Sequence, residues 1–195
     1  MVRGEGRTDA ILDSAVELMA VTGYDRLTID AVASRAGASK ATIYRRWPGK
    51  AELVIAALAR RGAVATEEVD TGDLRGDLIQ TVAHMRDGLA SQDGAVILGL
   101  LNAMRGNAEL AEHVRAQVLN EKRAVIGRLV ERAVKRKELP AHADHELASE
   151  IASALVFTRI LVTDQPLGDD EIVHIVDAAL MPVLTHQVQR KADRS

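Results

Sequence analysis

Apolar residues return at three- and four-residue steps along almost the whole chain, and few β-branched runs alternate with polar residues. Helices, not strands, must therefore bury the apolar surface. Residues 8–22 set Ile11, Leu12, Ala15, Leu18 and Met19 on one helical face, and Gly23 supplies a left-handed stop. A short second helix fits residues 28–36, with Ile29, Val32, Ala33 and Ala36 on one face, and Gly37 ends it. Ser39 is a good N-cap for a third helix to about Trp47, where Pro48 pushes the preceding residue out of helical geometry. A fourth helix is expected from Lys50 to about Glu67, followed by a loop over 69–76. Helices then fit 76–91, 94–106 and 108–137, and two more fit 143–163 and 169–186. The long helix carries Leu110, Val114, Val118, Val125, Leu129 and Val130 in a stripe and ends in Lys135, Arg136 and Lys137, cations suited to the negative end of its dipole. The last opens on Asp169, Asp170 and Glu171, where carboxylates belong. The fold class is all-α, with about nine helices.

Composition narrows the functions such a bundle can have. With 47% apolar residues in 195, the chain can build a core. It has no cysteine, which excludes disulfides, thiolate metal sites and cysteine nucleophiles. No run approaches the roughly 20 apolar residues that cross a bilayer. Residues Met1 to Arg7 hold no apolar signal core, so a cytoplasmic location is expected. Net charge is −3, but it is unevenly spread: residues 1–50 carry +2 and the remainder −5. Between Asp30 and Glu52 there is no acid, while Arg35, Lys40, Arg45, Arg46 and Lys50 all fall in that gap. A basic module on an acidic body suits a chain that meets polyanion at one end; a solvated basic face is the plainer reading.

Two short helices joined by a glycine turn, the second opening on serine, make a helix-turn-helix pattern. Ala33 and Ile43 are the inward candidates that lock the pair, and Ala36, Gly37 and Ala38 are small enough for a close crossing. Lys40, Ala41, Thr42, Arg45 and Arg46 then point outward, toward a DNA major groove about 12 Å wide. Many helical hairpins share this spacing.

The longer string is more specific. Ile11-Leu12-Asp13-Ser14-Ala15, Gly23-Tyr24, Leu27 to Ala33, Ala36 to Tyr44 and Trp47 to Leu53 resemble the N-terminal domain of the TetR/AcrR family of bacterial transcriptional regulators. Ala38 stands where valine is commoner and Trp47 where phenylalanine is usual; both keep an apolar position. The resemblance implies a DNA-binding domain over residues 1–52 and a helical effector-binding and dimerisation domain over 53–195. It implies phosphate contacts from Thr28, Tyr44 and Lys50, and base-facing or adjoining positions for Ser39, Lys40, Ala41 and Thr42. Arg45 and Arg46 fall where the family varies, and Arg3 and Arg7 could form an arm over the backbone. Trp47 reads as core.

Residues 151–162 are apolar around most of a helix, and the helix over 169–186 is apolar over more than one face needs. Each can bury one side in its own domain and the other in a partner, and the resemblance implies a homodimer interface there. Ile151, Leu155, Ile172, Val176 and Leu180 are its candidates. Between them and the DNA module, the resemblance implies an effector pocket. His84, Met85, Leu98, Leu101, Asn102, Met104 and Arg105 are candidate lining, though core packing explains each of them as well. With no aromatic residue between Trp47 and Phe157, a flexible aliphatic effector is favoured over a planar one.

An enzyme or metal-binding bundle that happens to carry a helix-turn-helix is the competing class. His142-x-x-His145 with Asp144 and Glu146, and Glu171-x-x-His174, are the histidine clusters that such a class could use. Di-iron bundles need two Glu-x-x-His motifs with two further glutamates, and here there is one motif. No zincin, nucleophile-elbow, Walker or dinucleotide fingerprint occurs. The expected partners are a palindromic operator duplex, a second copy of the chain and a small-molecule effector, with no cofactor and no metal. A repressor released by that effector is the expected function.

Overall fold

In the computed structural model, which describes residues 2–60, 69–90, 94–163 and 165–186, every regular element is a helix. There are nine among the described residues. They are α1 (Val2–Arg26), α2 (Ile29–Arg35), α3 (Lys40–Tyr44), α4 (Lys50–Leu58), α5 (Leu74–Ala90), α6 (Gly94–Gly106), α7 (108–135), α8 (145–162) and α9 (169–185). The last three each contain one wider turn, bonded i to i+5, at Arg115–Leu119, Thr158–Val162 and Val176–Leu180. In α9 the wide turn ends just before Met181-Pro182, so the helix runs through a proline that would break ordinary helical bonding. The fourth helix was expected to reach Glu67; residues 61–68 lie outside the described part.

Side-chain caps set four of the starts. Thr28, Ser39, Asn107 and Asp144 each accept a backbone N–H three residues on, at 2.9–3.2 Å. Gly23, with φ of 75°, kinks the end of α1 where the stop was expected. The third helix ends at Tyr44, short of Trp47, because Arg46 and Trp47 both donate to the Ile43 carbonyl in a closing turn before Pro48.

The chain divides into two compact units. Residues 1–66 and 85–121 form the first, and 67–84 with 122–195 the second. In the first unit α1 is central and packs on α2, α4 and α6. Ile11, Ala15 and Met19 from α1 meet Val32, Ile43, Leu53, Ala57, Val96 and Leu110, all buried in one cluster. The expected boundary at residue 52 falls inside α4, whose Leu53, Val54, Ala57 and Leu58 belong to that cluster.

In the second unit the buried faces of α8 (Ala148, Ala152, Val156) and α9 (Ile172, Ile175, Val176, Leu180, Leu184) supply core. This corrects the expectation for Ile172, Val176 and Leu180. They are 1%, 0% and 0% exposed within one chain, so they fill its own core and have no surface to offer a partner. Ile151 is half-buried and Leu155 remains 36% exposed.

A charged cluster closes the same unit. The fully buried Asp77 carboxylate accepts the Thr71 amide and hydroxyl at 2.6 and 2.8 Å and the Arg136 guanidinium at 3.1 Å. Arg136 also pairs with Glu138, whose carboxylate accepts the Leu74 amide at 2.7 Å and so caps α5. Burial pushes the Asp77 carboxyl up, but the Thr71 donors and Arg136 outweigh it and hold it below the usual range. Asp77→Asn should therefore cost about 3 kcal/mol in urea unfolding at pH 7, because the Thr71 donors and Arg136 lose a buried charged acceptor and Arg136 is left with Glu138 and Asp70. The wild-type advantage is present above the ordinary carboxylate pKa and is lost as pH falls through the lower folded-state value, so the two proteins should converge in acid.

Candidate nucleic-acid interface

The turn between α2 and α3 is closed by two backbone bonds. The Ala38 amide donates to the Ala33 carbonyl at 2.9 Å and the Gly37 amide to the Ser34 carbonyl at 3.4 Å, with Gly37 at φ of 60°. This is the paired closure of a helix by a left-handed residue, where a Cβ would be strained. Ser39 then caps α3, its hydroxyl 2.9 Å from that of Thr42. Beneath, Val32 and Ile43 are 0% exposed, and the half-buried Ala36, Ala38 and Trp47 pack against the same core. With Ile43 turned in, the other faces of α3 must be turned out.

Ser39, Lys40, Ala41, Arg45 and Arg46 are all exposed, and Tyr44 is 51% exposed, an unusual position for an aromatic ring with nothing to cover it. Thr42 is half-buried, its hydroxyl engaged by Ser39. Arg45 and Arg46 make no ion pair among the described residues. Lys40 sits on Asp30 at 2.6 Å; hydrogen bonding and charge from that carboxylate hold its pKa up. Asp30 escaped the sequence reading as a partner because only the α2–α3 crossing brings the two together. Arg35 pairs with Glu17 at 2.7 Å. Thr28 is exposed at the start of α2, with its hydroxyl oxygen accepting the Ala31 amide. Arg7 is exposed, and the Arg3 side chain lies outside the described residues.

Lys50 has a more definite setting. Its ammonium donates to the Tyr24 carbonyl at 3.0 Å and the Asp25 carbonyl at 3.4 Å, and lies 4.2 Å from the centre of the Tyr24 ring. Burial pulls its pKa down while Asp25 acts against that. Tyr24 is itself buried, and its phenol is pushed up to about 12 by burial and by Glu109, Glu52 and Asp25. Lys50 thus holds the end of α1 while remaining part-exposed at the edge of the basic module.

The other candidates are dispersed. Leu98, Leu101, Asn102 and Arg105 lie exposed along α6, while Val96, Leu100 and Ala103 are its buried face and Met104 packs partly against the first core. Met85 is half-buried in the first unit, whereas His84 falls in the second. His142, Asp144, His145, Glu146 and His186 line an open groove of about 510 Å³. Asp144 is occupied in capping α8, and among the described residues no group of three His, Cys, Asp or Glu is placed to hold a metal ion. Glu171 folds over Gly168 at the start of α9. No helix among the described residues is long and apolar enough to cross a membrane.

Residues 11–57 match the family described as bacterial regulatory proteins, tetR family, and residues 68–179 match the tetracyclin repressor-like C-terminal domain. A DNA-binding transcriptional repressor TetR of Mycobacteroides abscessus is 36% identical over 185 residues, 94% of this chain and 97% of that one. A solved TetR family transcription regulator is similar with a TM-score of 0.65 and 25% identity, covering 91% of this chain and 97% of that one. The regulator FadR of Bacillus subtilis, solved with stearoyl-CoA, gives a TM-score of 0.65 at 19% identity over 90% of this chain and 97% of its own.

Lys50 supplies a test in which fold and contact separate. Lys50→Ala should lower the melting temperature through the lost Tyr24 and Asp25 carbonyl bonds. On duplex DNA it should also flatten log affinity against log salt by about 0.9 per lost phosphate contact, roughly two per dimer. A lower melting temperature with an unchanged salt slope would confine Lys50 to the fold.

Proposed function

The chain belongs to the TetR family and is a DNA-binding transcriptional regulator; on that premise we propose a homodimeric repressor released from a palindromic operator by a small molecule. The observation that carries the reading is the outward face of α3, with Lys40, Ala41, Arg45, Arg46 and Tyr44 exposed on a helix held from beneath by Ile43. Lys40 and Thr42 read base edges in this proposal, and Thr28, Tyr44 and Lys50 hold phosphates. Ser39 fixes the start of the helix. Lys40 must leave Asp30 to reach a base, so a full negative charge gives way to base acceptors on binding. Repression is the activity named for the M. abscessus relative.

The effector in this proposal is flexible and aliphatic, since no aromatic ring lies between Trp47 and Phe157 to stack on a planar one. The stearoyl-CoA held by the FadR structure is an example of that chemistry on the same fold. Leu98, Leu101, Asn102 and Arg105, exposed on α6, together with Met85 and Met104 of the same unit, are its proposed surroundings. The functional division places DNA reading in residues 1–52 and effector binding with dimerisation in 53–195. The protein acts in the cytoplasm and catalyses no reaction.

For the dimer we place the contact on the outer stripe of α8, where Leu147, Leu155 and Val162 are 41%, 36% and 63% exposed beside the half-buried Ile151. A two-fold pair matches a palindrome because each subunit reads one half-site. Leu155→Glu places an unpaired carboxylate in each half of such an interface, which should weaken the dimer by several kcal/mol. Helical content by circular dichroism should stay unchanged while sedimentation shifts to monomer and operator affinity falls. A folded variant that stays dimeric and binds normally would place the interface elsewhere. Binding of Lys40→Ala and Thr42→Ala to a set of single-base operator variants checks the reading of bases. Each should lose about 1–3 kcal/mol of discrimination at particular base pairs, and uniform weakening would make them phosphate contacts.

A further inference from the structure

In the first unit one ion pair ties α7 to the start of α4, next to the lysine given a phosphate. His113 Nε2 lies 2.7 Å from Glu52 Oε1, and His113 Nδ1 lies 2.8 Å from the Glu109 carbonyl oxygen. Both partners are acceptors. A neutral imidazole carries one N–H and could satisfy only one of them, leaving a lone pair against the other. The doubly protonated ring satisfies both. The second oxygen of Glu52 folds back over the first turn of α4, where a Cβ on Gly49 would come within 2.8 Å of it. A single carboxylate therefore spans the N-terminus of α4, which favours negative charge, and the imidazolium of α7. Lys50, the first residue of α4, is two positions away.

We propose that His113 is a positioning residue for DNA binding: as an imidazolium held on Glu52 it sets the first turn of α4, so that operator affinity falls as the ring loses its proton. The inference rests on the DNA-binding function and adds a pH dependence to it. The groups that face the ring account for its charge. Glu109 and Glu52, on α7 and α4, act on it directly; Tyr24 at the end of α1, with Asp25 and Lys50 beside it, lies near the same two carboxylates. On α7 itself, Glu112 is paired with Arg115 at 3.9 Å. The only charged residue of α6, which also packs on α7, is the exposed Arg105. Carboxylates thus dominate around His113. The Glu109 carbonyl first, then the charges of Glu52 and Glu109, raise its pKa above the ordinary histidine value against the opposing effect of burial. With the pKa raised, the pair is fully formed below the ordinary value and is lost as pH rises through the higher one.

Two variants separate titration from mere packing. His113→Gln keeps a donor for Glu52 and cannot titrate. Glu52→Gln gives the neutral ring an amide donor for Nε2 while Nδ1–H stays on Glu109, so the link holds at every pH. The measurement is fluorescence anisotropy of a labelled duplex that the protein itself selects from a random pool, at fixed salt from pH 6 to 9. Circular dichroism at each pH checks that the helices persist, and the His113 ring is titrated by NMR. The wild type should lose affinity as pH rises through the His113 transition, as linkage requires when the bound protein holds the ring's proton more tightly than the free one. Both variants should show a flat profile over the His113 transition. Should His113→Gln fail to fold, Glu52→Gln alone carries the comparison. Parallel profiles in wild type and variant, all binding the duplex, overturn the proposal and leave DNA binding intact. If the wild type binds no duplex at any pH in low salt, DNA binding itself falls and the proposal with it.

Discussion

A helix of five residues has no stability of its own in water, where isolated helices shorter than about 12–15 residues are marginal. α3 exists because three restraints meet on it. Gly37 lets the chain leave α2 in a left-handed conformation, Ser39 satisfies the Thr42 amide at its start, and Ile43 is buried without remainder against α1 and α2. Those restraints all act from one side. The opposite side is left with Lys40, Ala41, Arg45 and Arg46, and touches the fold through the exposed Lys40–Asp30 pair. The face proposed to read DNA and the face that folds are thereby different faces of one turn and a half of helix.

The electrostatics follow from the same economy. Pairs such as Lys40–Asp30 and Arg35–Glu17 are exposed on both sides, where ion pairs contribute about 0–1 kcal/mol and can be exchanged for phosphate or base contacts. Lys50 differs, because its partners are the backbone carbonyls of Tyr24 and Asp25 at the end of α1 and not exposed carboxylates. Asp77 in the second unit is the limiting case. Its carboxylate has no exposure and four donor or cation neighbours, and it fastens the segment before α5 to the end of α7. At that end Lys137 adopts a φ of 65°, a backbone state that a side chain rarely takes. The turn closes as it would around a glycine, with the Glu138 amide donating to the Ala133 carbonyl and the Lys137 amide to the Val134 carbonyl.

Helix starts and stops were legible because their causes are local. Ser39, Gly23 and Gly37 act within three residues of themselves, and the structure uses each where it was expected; Thr28, read as the first helical residue, caps α2 instead. The helix-turn-helix core was legible for the same reason: Ala33 and Ile43 stand ten residues apart across one glycine turn. The reach of α3 to Trp47 was overestimated by one closing turn, a matter of how Pro48 is approached. Side chains that cross between elements left no such trace. Lys50 on Tyr24 spans 26 residues and Glu52 on His113 spans 61, and no period or spacing links them.

By itself the sequence determined that the chain is helical, where several of its helices begin, and that its basic residues gather on a short module with a glycine turn. Apolar periodicity and capping are properties of neighbouring residues, and the charge count needs no coordinates at all. Only the tertiary structure decided which half of a wide apolar arc meets the protein's own core. Ile172, Val176 and Leu180 went inward while Leu155 stayed out, although all four sit in equally apolar runs. An arc of helix records how much surface must be covered, but what covers it depends on which helices pack beside it. The same holds for charge. A lysine's sequence position gives its reach, and only the fold decides whether Asp30 or the Tyr24 carbonyl lies within it.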